Sequence, residues 1–218
     1  MTQIFFARHG ETAWNAVRRV QGWTDIPLSP RGEVQAEALG RRMADVPLTA
    51  VYSSDLGRAV QTATPAARAH GLTVQPLPGL REKGFGDWEG LTAEDLERDY
   101  PEEWHRYHKQ RILEAHVPGG EQWPAVQERV DAALAQVLVA HPSPKDSVLL
   151  VGHGGSGRLL ILKALSAPLP TLLHLHLDNA SLSHLDFSAH ADLETPSKSR
   201  VMVLNDTSHL AGLDEAAG

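Results

Sequence analysis

The chain has 218 residues, 42% of them hydrophobic and 22% charged, with no cysteine and a formal net charge of −7. That length can bury a full core, so one domain of α/β type is the default. The missing cysteines exclude disulfides and thiolate zinc sites, and the acidic balance speaks against a nucleic-acid partner, which calls for a basic face.

In chain order, Gln3 to Ala7 is an apolar run ending in charge, as expected of a strand buried on both faces. Gln21 to Leu28 is loop by its Gly, Asp and Pro content. Ser29-Pro30 predicts a capped helix start, with Val34, Ala38, Leu39 and Met43 at helical spacing. Ala50 to Ser53 is a second strand, and Ser54 or Asp55 is the expected cap of the helix carrying Arg58. Thr73 to Leu77 is a short strand, and Arg81 to Gly90 a glycine-rich loop. Thr92 to Asp95 has the spacing of a capping box. Glu102 to Ala115 carries a weak helical pattern, and Val126 to Leu138 an amphipathic one. Ser147 to Val151 is a buried strand, broken by Gly152-His153-Gly154-Gly155 before a helix from Ser156 to Leu165. Leu182 to Phe187 and Arg200 to Leu204 are the last strands, joined by a polar connection over His190 to Ser199. No apolar run approaches the ~20 residues that cross a membrane, and no signal-peptide pattern opens the chain. The expectation is a cytoplasmic protein without a membrane partner.

Three strands share one design: each is followed at once by Arg8-His9-Gly10, by Ser53-Ser54 with Arg58, or by Gly152-His153-Gly154. In a parallel sheet those ends meet on one edge, where ligands of open α/β sheets bind. Two guanidiniums, two imidazoles and the amides of a helix start suit a tetrahedral dianion. A phosphoryl group in transit needs positioning and charge neutralisation. An imidazole is a nucleophile near neutral pH, which makes His9 the candidate. The leaving alkoxide needs a proton, and Glu82, in the loop after the third strand, is the candidate donor. Its bland alternative is a loop carboxylate paired with Arg81 or Lys83. His174-Leu175-His176 on a strand would place both imidazoles on one face. Solvent-facing alternation, with Leu173, Leu175 and Leu177 inward, is favoured there over a metal site. Trp88, Trp104, Tyr107 and Trp123 are read either as a substrate mouth or as core and cap packing.

These residues resemble a family. Arg8-His9-Gly10-Glu11-Thr12 with Asn15, Ser53 to Ala63 around Arg58, Leu80-Arg81-Glu82 through Gly90, and Val151-Gly152-His153-Gly154-Gly155 resemble, in order, four segments of the histidine phosphatase superfamily. That superfamily is also called phosphoglycerate mutase-like. Pro118-Gly119-Gly120-Glu121 and Asn179-Ala180-Ser181 resemble segments of its phosphatase branches.

The resemblance implies an α/β/α sandwich around a mostly parallel six-stranded sheet. The chain itself reads as a single domain over 1–218, with a candidate cap insertion at roughly 84–121 and an expected mobile tail at roughly 206–218. The resemblance implies that His9 is phosphorylated, that Arg8, Arg58 and His153 bind the phosphoryl group with help from Asn15 and the Gly154 amide, and that Glu82 is general acid and then base. No metal and no cofactor are implied. The expected partner is a small phosphorylated metabolite, contacted by Gln21 and Gly22 and by the cap, in a monomer or homodimer. The implied activity is phosphomonoester hydrolysis of the histidine acid phosphatase type. The alternatives are a cofactor-dependent phosphoglycerate mutase and a non-catalytic phospho-ligand binding module. An Arg-Arg-Ser-type carboxylate grip, as in the mutases, has no match here; Arg106 and Arg111 are the nearest cationic pair.

Overall fold

The computed structural model describes residues 1–187 and 198–213. Six strands, β1 (Thr2–Arg8), β2 (Ala50–Ser53), β3 (Val74–Pro76), β4 (Ser147–Gly152), β5 (Leu182–Phe187) and β6 (Arg200–Asp206), form one sheet. Their order is β3-β2-β4-β1-β5-β6. The first four run parallel, and β5 pairs antiparallel with both β1 and β6.

The apolar runs alternate between two cores. Ile4, Phe6, Val148 and Leu150 face one side, packed against helices α6 (Trp123–Ala140) and α7 (Gly154–Leu165). Phe5, Ala7, Leu149 and Val151 face the other, against α2 (Pro30–Met43) and α3 (Gly57–Ala69). Burial on both faces is why these strands read as continuous hydrophobic runs rather than as alternating ones. A short α1 (Ala13–Ala16) follows β1, capped by Thr12 and Asn15 in a reciprocal box.

Between the sheet's third strand and α6 the chain builds a small separate cluster. It contains α4 (Ala93–Asp99), α5 (Pro101–Trp104) and a π-helical turn over His105–Lys109. Trp88, Leu96 and Val117 are its buried centre. Trp88 is fully buried, with Tyr100, Trp104 and Tyr107 at ring-centroid distances of 5.5–6.2 Å, so it belongs to the cap's core and not to a substrate mouth.

Several local expectations are corrected. The cap of α3 is Leu56, with no side-chain cap bond; Asp55 is engaged by Arg81 instead and Ser54 turns toward the sheet edge. Helix α7 begins at Gly154, not Ser156, so both glycines lie in its first turn. Residues Leu169–His174 form a 3₁₀ helix rather than a strand. His174 and His176 are nevertheless exposed while Leu172 and Leu177 are buried. Of the predicted tail, Asp206 closes β6 and Ser208–Leu210 form a 3₁₀ turn held by His209 against the Ala180 carbonyl. Residues 214–218, and 188–197 of the predicted polar connection, lie outside the described residues.

Candidate active site

Parallel pairing brings the carboxyl ends of β1, β2 and β4 to one edge, and β4 lies between the other two. His153 therefore falls between His9 and Ser54. Backbone bonds carry the order past the strand ends: His9 N–H donates to the Gly152 carbonyl (2.9 Å) and Ser54 N–H to that of Val151 (2.8 Å). The two imidazoles are buried and meet edge-on, with centroids 5.1 Å apart.

The protonation of His9 follows from one contact. Its Nδ1 lies 2.7 Å from the Gly10 carbonyl. A carbonyl only accepts, so Nδ1 carries the proton and Nε2 holds the free lone pair. Burial, and then the charges of Arg8 and Arg58, hold the His9 imidazole well below its ordinary value of 6.5. The ring is neutral at physiological pH, as a nitrogen nucleophile must be. His153 is held down in the same way by burial and Arg58. Its Nε2 meets Ser54 Oγ at 2.9 Å, and its Nδ1 is buried without a partner.

Both guanidiniums are anchored by backbone carbonyls, and Arg58 also stands 3.9 Å from the Asp25 carboxylate. Arg8 Nη1 donates to Leu177 O at 2.7 Å. Arg58 donates through Nη2 to Gly22 O (2.7 Å) and through Nη1 to Thr24 O (2.9 Å). The Nε of each is buried without a partner. Burial lowers the pKa of both, with Glu82 opposing. Two cations, each with one unpartnered buried nitrogen, lie beside the first turns of α3 and α7, where helix starts already carry positive potential, an arrangement whose chemistry suits an anion.

Glu82 lies across this site. Its carboxylate accepts from Gly155 N–H (3.1 and 3.0 Å to the two oxygens) and from Lys83 N–H (2.8 Å). Gly155 is required there: a Cβ would stand 2.0 Å from Glu82 Oε1. A Cβ on Gly154 would lie 3.7 Å from Glu82 Oε2 and 3.8 Å from Arg8 Nε, so Gly154 sits between the carboxylate and a guanidinium. Neither cation suggested as a salt-bridge partner holds the Glu82 carboxylate. Arg81 is bidentate to Asp55 (2.7 and 2.6 Å). Lys83 is buried with its ammonium over the Phe85 ring at 4.5 Å.

Asn15, Gly22 and Gln21 are placed close by. Asn15 Oδ1 accepts from Thr12 N–H, Thr12 Oγ and Asn179 Nδ2 at 3.1–3.2 Å. The acceptor end of the amide is thereby occupied and only its NH₂ is left to offer. Gly22 takes φ +56, and a Cβ there would stand 1.9 Å from Glu89 Oε1. Gln21 Oε1 is buried without a partner.

A sequence model described as "Histidine phosphatase superfamily (branch 1)" matches residues 4–194. The chain belongs to this superfamily. It is 37% identical over 187 residues to the Salmonella choleraesuis protein named "Probable phosphoglycerate mutase GpmB", covering 86% of each. The solved mycobacterial glucosyl-3-phosphoglycerate phosphatase superposes with a TM-score of 0.84 at 30% identity, over 95% of this chain and all of that one. The alpha-ribazole phosphatase of Shigella flexneri superposes with a TM-score of 0.82 at 28% identity, over 94% of this chain and 96% of that one.

In this member of the superfamily, several supporting residues escape a reading of motifs. Arg129 donates to the carbonyls of Gly79, Arg81 and Glu82 and is bidentate to Glu121. It thus ties the loop of Glu82 to the Pro-Gly-Gly-Glu turn. The Glu89 carboxylate gathers the N–H groups of Trp23, Thr24 and Phe85, which positions the two carbonyls that hold Arg58. Ser54 was visible only as part of a segment. Its contact with His153 is set by the pairing of β2 with β4.

Proposed function

We propose that the protein is a phosphomonoesterase acting through phosphohistidine on a small phosphorylated metabolite. His9 Nε2 attacks phosphorus, the phosphorus–oxygen ester bond breaks, and Glu82 gives its proton to the leaving alcohol. Glu82 then takes a proton from water as that water displaces His9 from phosphorus, releasing phosphate and restoring both groups. Arg8, Arg58, the His153 ring, the Asn15 amide and the Gly154 N–H hold the phosphoryl oxygens, and Gln21 and Gly22 border the alcohol. The observation that carries this reading is the buried His9, whose Nδ1 is committed to Gly10 O and whose imidazole is held well below its ordinary value by burial and the charges of Arg8 and Arg58. Acid-quenching after brief exposure to ³²P-labelled substrate tests it. Label stable to base and labile to acid is expected on the wild type and absent in His9→Ala; equal labelling of both overturns the mechanism. Activity is expected to survive EDTA, since no step uses a metal.

A second reading, phosphoglycerate mutase, is favoured by the 37% identity to a protein with that name. The two separate on one assay. Hydrolysis releases inorganic phosphate from an aryl phosphate, whereas a mutase interconverts 2- and 3-phosphoglycerate with little release.

A further inference from the structure

The proposed mechanism leaves Lys83 unused. Its side chain is fully buried, and its Nζ has no hydrogen-bond partner among the described residues. The ammonium lies instead against two rings, 4.5 Å from the centroid of Phe85 and 5.6 Å from that of Tyr107. Phe85 belongs to its own loop; Tyr107 comes from the π-helical turn over His105–Lys109. Two carboxylates favour the ammonium: Glu82, next to it in the chain, and Glu121, from the turn before α6. Glu121 is already shared with Arg129 of α6 (2.8 Å) and with the Gly84 N–H (2.7 Å). The Tyr107 hydroxyl is pushed up to about 12 by burial, so it stays neutral and forms no ion pair with the lysine. His108, on the same turn, stacks on the Trp104 ring at 4.4 Å instead.

Burial wins over these attractions. It brings the Lys83 ammonium from an ordinary 10.5 down to about 8, because an ion without a hydrogen-bond acceptor loses more solvation than two ring faces and shared carboxylates return. An unbranched apolar side chain would sit between the same rings without that cost. The closed turn is therefore less stable for carrying Lys83 beneath it. The turn also has a rare π geometry, of a kind frequent at functional sites, and Arg111 just beyond it holds a left-handed backbone, φ 55. It stands near the chemistry. Tyr107 lines a cavity of about 440 Å³ together with Trp123. A Cβ on Gly155 would lie 3.2 Å from Trp123 Cη2 and 2.0 Å from Glu82 Oε1, and Lys83 N–H itself donates to Glu82 (2.8 Å).

We infer that Lys83 primes the cap to open: its buried ammonium raises the free energy of the closed π-helical turn, and the turn lifts from the Glu82 loop when that ammonium goes to water. The dependence on pH has a fixed sign. Above about 8 the closed turn holds the lysine with fewer protons than the open one, so raising the pH locks the turn, and returning to 8 and below frees it. This goes beyond the phosphomonoesterase reading, and its test needs no turnover.

Trypsin reads the opening. Arg106 and Lys109 on the turn and Arg111 after it are exposed, and a protease cuts such bonds from the locally opened backbone, at a rate that follows its population. Cutting at these three bonds is followed by mass spectrometry and normalised to a short arginine peptide at each pH. In the wild type it is expected to slow by at least about tenfold from pH 7 to pH 9.5. Lys83→Met is expected to be cut at least about tenfold more slowly than the wild type at pH 7, and equally at both pH values. Lys83→Leu shares both expectations, and melting temperatures no lower than that of the wild type show that the variants fold. The pH comparison in the wild type needs no variant. Wild-type cutting that does not slow as the pH rises overturns the inference, and so does a folded variant cut as fast as the wild type at pH 7. Faster cutting of the folded variants overturns it as well, since the ammonium would then be holding the turn shut.

Discussion

At His153 the outcome depends on a single hydroxyl. Ser54 Oγ accepts weakly from Leu56 N–H at 3.4 Å and lies 2.9 Å from His153 Nε2. That contact fixes the orientation of the buried His153 ring at the sheet edge. In the proposed mechanism that ring contacts a phosphoryl oxygen, so its orientation bears on the rate. Ser54→Ala is expected to lower kcat about tenfold with a smaller change in KM, the loss of one oriented contact. Ser54→Thr, which keeps the hydroxyl, is expected to restore most of it. Steady-state kinetics of the two variants check this, and equal activity of Ser54→Ala and wild type would remove the role.

At the scale of elements, the first turn of α7 and the aromatic cluster under the cap do different work. Gly155 lets the Glu82 carboxylate rest on the helix start at 3.0–3.1 Å. Gly155→Ala adds a methyl where Glu82 stands, so the carboxylate proposed as the acid moves by an ångström or more. Misplacement on that scale costs roughly 10²-fold in rate. The expected result is a kcat lowered by about that factor with phosphate affinity retained, measured by initial rates and by phosphate inhibition. Trp88 is fully buried among Tyr100, Trp104 and Tyr107. Trp88→Ala is expected to cost about 3–5 kcal/mol in stability by transfer and cavity terms. Urea unfolding measures it. A loss under 1 kcal/mol would show that the cap contributes little to the cooperative fold.

Across the whole molecule, the buried imidazoles link folding to pH. His9 and His153 sit well below 6.5 in the native state because burial and the two arginines disfavour their cations. The unfolded chain regains the ordinary value. Below about pH 6.5 the unfolded state therefore binds more protons than the native one, and stability falls as pH drops. Each imidazole contributes up to about 1.4 kcal/mol per pH unit. Unfolding free energies of wild type and His9→Ala in phosphate-free buffer from pH 7 to 5 check the sign. The wild type is expected to lose stability more steeply, and parallel slopes would contradict the depressed imidazole.

How much of this was legible in the chain has a physical pattern. Apolar runs of four to seven residues ending in Arg8-His9, Ser53-Ser54 and Gly152-His153 mark buried parallel strands, because burial on both faces leaves no alternation. The starts of α2 and α4 were legible in Ser29-Pro30 and in Thr92 with Asp95, since caps are local chemistry. The start of α3 was not, because tertiary pairing took the polar candidates: Asp55 went to Arg81 and Ser54 to His153. His174 and His176 were read on a strand where a 3₁₀ helix forms, since short leucine-rich runs suit either period. The sequence by itself determined the family, the two buried cores and the residues gathered at one sheet edge, all of which follow from local order along the strands. Only the tertiary structure decided the tautomer of His9, the seat of Glu82 on Gly155 and the contact of Ser54 with His153. Each of those depends on a partner tens of residues away or on the direction of a single carbonyl, and no spacing along the chain encodes either.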